Sequence, residues 1–88
     1  MGSREEGSPL LTTFGTVVAE RMEQEGITMA DIHRQTGLAR TSLYAWLHGK
    51  SAPSLSSLWT LAAVLGLRPS ELLKTVETRL DLQIAGKR

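Results

Sequence analysis

Arg40, Thr41, Tyr44, Ala45 and His48 fall at i, i+1, i+4, i+5 and i+8, a spacing that gathers them on one side of a helix. Leu43, Trp46 and Leu47, at i, i+3 and i+4, take the other side and point to a core. The first set combines a forked guanidinium donor, hydroxyl groups that donate and accept, and a small apolar side chain. No carboxylate accompanies them. Residues 1–31 carry two basic and six acidic groups, net −4; residues 32–70 carry Arg34, Arg40, Lys50 and Arg68 and no acid, net +4; residues 71–88 carry four basic and three acidic groups, net +1. A surface that lies against phosphates must exclude carboxylates, because each repels the polyanion. The pattern suits binding to an anionic polymer, and a small Ser/Thr-rich segment that lacks acids by chance would show it too.

Other chemistries fare worse. His33 and His48 are the only histidines, a helix and a turn apart, and nothing joins them to make the three or four ligands a metal needs. With no cysteine there is no thiol nucleophile, disulfide or thiolate metal site, a composition compatible with a reducing cytoplasm. No Ser–His–Asp arrangement, carboxylate pair or glycine-rich phosphate loop can be argued. The expectation is a protein without catalysis, metal or cofactor. No apolar run approaches the ~20 residues that span a bilayer, and no signal peptide is expected.

The elements that must hold this face follow from punctuation and periodicity. Eighty-eight residues suffice for one modest core. Residues 1–8 read as a polar tail, 9–85 as one domain and 86–88 as a fraying end. Ser8-Pro9 starts a first helix, whose apolar face is Phe14, Val17, Val18 and Met22 and whose end is Gly26. Thr28 caps a short second helix with Asp31 at its third position, and Gly37 supplies the tight turn before the third helix, about Arg40 to His48. After the turn-rich stretch Gly49-Lys50-Ser51-Ala52-Pro53, Ser54 caps a fourth helix with Leu55, Leu58, Leu61, Ala62 and Leu65 on its apolar face. Pro69 opens a fifth, along which Leu72, Leu73, Val76, Leu80 and Ile84 form a stripe long for so small a domain. There is no strand signal: the chain is all-α.

In order along the chain, Arg21, Gly26-Ile27-Thr28, Gly37, Leu43, Trp46, Gly49-Lys50, Pro53-Ser54-Leu55, Leu61-Ala62, Leu65-Gly66 and Glu71-Leu72-Leu73 resemble the phage-repressor-like (Cro/CI, XRE-type) helix-turn-helix domains over roughly residues 14–75. The resemblance implies a compact five-helix lambda-repressor-like bundle whose third helix enters the major groove of double-stranded DNA. It places Arg40, Thr41 and Ala45 at base-reading positions with Tyr44 beside them. It makes Thr28, Met29, Lys50, Ser51 and Ser54 candidates for phosphate. Chemically, Arg40 can contact guanine O6 and N7 together, Thr41 can bond a base edge or phosphate, and Ala45 suits a thymine methyl. Tyr44 can equally cover the helix surface, and Lys50 can be an ordinary loop lysine. The function implied is a sequence-specific transcriptional regulator, acting as a repressor in the cytoplasm of a bacterium or phage host and on the nucleoid when bound. The stripe can pack wholly inside its own domain or pair with a second copy; because such readers commonly bind as two-fold dimers, Leu73, Val76, Leu80 and Ile84 are candidates for a homodimer interface.

Four residues depart from the family pattern. Met29 stands in place of a glutamine, His33 in place of a small residue, Ala39 in place of a hydroxyl cap, and Leu47 in place of a glutamate that pairs with the first-helix arginine. Arg21 is therefore expected to find a phosphate or a helix-1 carboxylate instead. Met29, Ala39 and the modest basicity keep a second reading open, an antitoxin-like or adaptor module that uses the same fold to bind a protein.

Overall fold

The computed structural model describes residues 8–86, with side chains through residue 83. Its elements are α1 (Pro9–Glu25), α2 (Met29–Thr36), α3 (Arg40–Leu47), α4 (Leu55–Val64) and α5 (Pro69–Gly86). Sequence signals set their ends. Ser8 Oγ accepts from the Leu11 N–H at 3.4 Å with Pro9 in the first turn, so the expected tail yields its last residue to the α1 cap. Thr28 and Asp31 form a reciprocal capping box at α2, Thr28 Oγ1 accepting from Asp31 N at 3.1 Å and Thr28 N donating to Asp31 Oδ2 at 2.9 Å. Ser54 caps α4 by accepting from Ser57 N at 3.2 Å.

Helix α1 is the hub, packed against α3 and α5; α2 bridges α3 and α4, and α4 meets α5. One core joins Phe14, Val17, Val18 and Met22 to Ile32, Leu43, Trp46, Leu58, Leu61, Ala62, Leu65, Leu72 and Val76. Two expectations are corrected here. Leu55, assigned to the buried face of α4, is 70% exposed, because it sits in the first turn ahead of the packed positions. Val76, assigned to a dimer surface, is 2% exposed and belongs to the core of its own domain.

Three polar ties hold the hub. Arg21 Nε donates to the Leu65 carbonyl at 2.9 Å, serving an orphan acceptor at the end of α4, while its Nη1 lies 3.5 Å from Glu25. A helix-1 carboxylate is thus part of the answer to the missing glutamate, and a backbone carbonyl is the larger part. Arg79 Nη2 donates to Glu20 at 2.8 Å, joining α5 to α1. The Gln83 amide donates to the hydroxyl of buried Thr13 at 3.1 Å.

How α3 is seated depends on a close backbone approach. A Cβ on Gly15 would lie 2.5 Å from the Leu47 carbonyl oxygen and 2.7 Å from that of Trp46, so only glycine admits this crossing of α1 and α3. Just beyond, Gly49 at φ 70° passes the Thr12 backbone, its Cβ position 3.1 Å from Thr12 Cα. No helix among the described residues is long and apolar enough to cross a membrane.

Candidate nucleic-acid interface

The turn that joins α2 to α3 is stapled by side chains. Gly37 at φ 81° bonds back to the His33 carbonyl at 2.8 Å. His33 Nδ1 donates to the Leu38 carbonyl at 2.8 Å, and Thr36 Oγ1 donates to Ile32 O at 2.6 Å while accepting from Leu38 N at 3.1 Å. His33 therefore does not crowd the helix pair. It is exposed, turned outward, and works as a brace for the turn.

On α3 the two faces separate as the periodicity requires. Leu43 and Trp46 are buried and Leu47 is half-buried against the core. Arg40, Thr41 and Tyr44 are exposed, with Ala45 half-buried beside them. Arg40 and Lys50 have no ionic partner among the described residues, whereas Arg21, Arg34 and Arg79 each have one. A cation with no internal carboxylate keeps its donors for a ligand. Ala39 gives α3 no side-chain cap, which leaves the first-turn N–H groups of Arg40, Thr41 and Ser42 open.

The C-terminal end of α3 closes in a Schellman arrangement. Gly49 N donates to Trp46 O at 3.2 Å and Lys50 N to Ala45 O at 2.8 Å, which fixes where Lys50 leaves the helix. Lys50 and Ser51 are exposed, as is Ser54 at the start of α4. Ser54 Oγ also reaches Ser57 Oγ at 3.0 Å and Ser56 Oγ at 3.3 Å, so its hydroxyl is shared within the cap.

At α2 the geometry is narrower than the residue types suggested. The Thr28 hydroxyl and N–H are both taken by Asp31, and the Met29 side chain packs on the core. What Met29 can offer an anion is its backbone N–H alone. The Asp31 carboxylate sits at this terminus, held below its ordinary titration range by the Thr28 backbone N–H first and by Arg34, 2.7 Å away, second. Arg34 offsets its charge.

Along α5, Leu73 is 45% exposed, Leu80 is half-buried and packed against the core, and the Ile84 side chain lies outside the described residues. Leu73 also borders a shallow apolar cleft of about 140 Å³ with Leu10, Phe14, Pro53 and Leu58.

Several features escaped the residue-type reading. Gly15 seats α3, and a glycine inside an otherwise good helix was the available signal, since it costs about 1 kcal/mol against alanine unless packing demands it. Leu10, Trp59 and Leu82 are exposed at 55%, 56% and 65%. The Tyr44 and His48 rings are in contact at a tilt of 51°, with centroids 3.8 Å apart.

The model of the Cro/C1-type helix-turn-helix DNA-binding domain matches residues 18–78, which includes the whole of α2, the stapled turn and α3. The chain belongs to that family. As a Cro/C1-type domain, it carries α3 as its second motif helix, the one that this motif directs to DNA. By sequence no curated protein matches. In three dimensions the domain is similar to the clp gene regulator ClgR from Corynebacterium glutamicum, with a TM-score of 0.80, 18% identity and coverage of 89% of this chain and 83% of that one. At that identity the likeness concerns the fold.

Proposed function

We propose that this domain is a sequence-specific transcriptional regulator that occupies an operator with α3 in the major groove and acts as a repressor. The observation that carries the reading is the outward face of α3. It presents Arg40 with no ionic partner among the described residues, in a 39-residue stretch without a carboxylate, on a Cro/C1-type frame. Arg40, Thr41, Tyr44 and Ala45 are assigned to base edges. The N–H groups at the start of α2, Lys50, Ser51 and the start of α4 at Ser54 are assigned to phosphate. The regulator described by the similar fold is in keeping with this role.

One copy of so small a reader makes few base contacts, so two copies across a pseudo-palindrome are proposed. Leu73 and Leu80, with exposed Leu10 of α1 beside them, support an interface on that side. The shared cleft bordered by Leu10 and Leu73 supports it further. Selection of bound sequences from a random duplex pool tests the whole reading. A palindromic output with half-sites about 34 Å apart is expected; no enrichment at all overturns it. A second role, docking a protein partner, is favoured by Leu55 and Trp59, exposed four residues apart on α4.

A further inference from the structure

The outward side of α3 continues past the residues assigned to bases. His48, the C-cap residue, is exposed and stands one turn beyond Tyr44, with the ring centroids 3.8 Å apart and the planes tilted by 51°. Eight residues separate it from Arg40, which at 1.5 Å per residue is about 12 Å along the helix axis. With the N-terminal residues of the helix at base edges, His48 stands about two turns away from them, at the end where the chain leaves toward Lys50.

We infer that His48, braced by the Tyr44 ring, forms a phosphate clamp on double-stranded DNA, in which protonated His48 supplies the charge and DNA affinity rises as pH falls. The inference rests on the DNA-binding reading above. Contact with the Tyr44 ring narrows the conformations of the imidazole before DNA arrives, so less side-chain freedom is lost on binding. Binding a phosphate favours the protonated ring, so the complex takes up a proton. Affinity must then increase from alkaline to acidic pH, within the range from about 5 to 8 where imidazole changes charge.

The charged surroundings do not supply a rival titration among the described residues. On its own element and just after it, His48 has Tyr44, Arg40 and Lys50. From α1, the half that meets Gly49 is Pro9 to Thr16 and has no ionisable side chain; Glu20, Arg21, Glu23 and Glu25 begin two turns further on. From α2, Asp31 and Arg34 are paired, and His33 braces Leu38 at the opposite end of α3. Helix α4 has no ionisable residue, and neither α4 nor α5 packs against α3.

The test is binding of the full chain to a random-sequence duplex of about two helical turns, at fixed ionic strength, from about pH 8 to about pH 5.5. Fluorescence anisotropy gives the affinity, and circular dichroism at each pH confirms that the variants stay folded. The wild type should tighten by up to about tenfold toward low pH, the worth of one added charge-assisted hydrogen bond. Its dependence of log affinity on log salt should steepen by about 0.9 over the same range, one added phosphate contact. His48→Gln should remove both responses. His33→Asn and Tyr44→Phe should keep them, and Tyr44→Ala should weaken them. A His48→Gln variant that still tightens and steepens toward acid overturns the clamp, as does a wild type that binds with flat pH dependence. Failure to bind any duplex at any pH overturns the DNA-binding reading instead.

Discussion

At the scale of single residues, the interface is defined by what is left without an internal partner. Arg40 is the sharpest case, and Arg40→Ala is expected to cost roughly 1–3 kcal/mol on a selected site and to relax preference at one base position. Lys50→Ala should weaken all sequences alike and lower the salt slope by about one. Equal losses on selected and random duplex after Arg40→Ala would remove its assigned role. Ala39 allows a cleaner separation of stability from binding. Its φ of −66° and ψ of 139° already suit a capping residue, so Ala39→Ser should raise stability by about 1 kcal/mol in thermal or urea unfolding. Ala39→Asp should stabilise comparably but bind DNA more weakly, because it sets a carboxylate at the first turn of α3.

At the scale of elements, helix ends and buried faces were readable because capping residues and 3.6-residue periodicity act locally. Ser8, Thr28, Gly37 and Ser54 stand where their chemistry implied. What was not readable depends on neighbours distant in sequence. Arg21 reaches a carbonyl 44 residues away, Gly15 faces the end of α3, and the α5 stripe is divided between core at Val76 and surface at Leu73. Periodicity finds an apolar face without saying how much of it a partner helix covers. Gly15→Ala separates local from tertiary effects. Helix propensity alone predicts a gain of about 1 kcal/mol, yet a methyl 2.5 Å from a backbone oxygen must displace α3. The expected outcome is a net loss of roughly 1–3 kcal/mol in unfolding, with weaker DNA binding. Unchanged stability would show that the crossing is looser than described.

At the scale of the whole molecule, charge governs both acid stability and association. Glu20 is held below its ordinary titration range by the hydrogen bond from Arg79, and Asp31 by Thr28 and Arg34. Folded pKa values lowered in this way contribute stability that is present at neutral pH and is lost as pH falls through the folded values, below about pH 4. Glu20→Gln and Asp31→Asn should each lower stability at neutral and alkaline pH and flatten the acid limb of a pH–stability curve, so that variant and wild type converge in acid. Association belongs at the same scale. Leu73→Glu should shift the sedimenting species toward monomer and weaken binding to a palindromic site far more than to a half-site. A dimer that persists unchanged would place the interface elsewhere. The outward face of α3 was legible in outline, because its side chains answer to a single helix. The roles of Thr28 and Met29 were not, since their groups are claimed by the capping box and the core.

The crossing at Gly15 has one further consequence. Because α3 is seated by main-chain atoms of α1 and by side chains on its inner face, none of the four residues assigned to base edges helps to hold it. The outer face is a replaceable lettering on a fixed mount. On the proposed reading, exchanging a few exposed side chains changes the target sequence with no need to rebuild the fold that presents them.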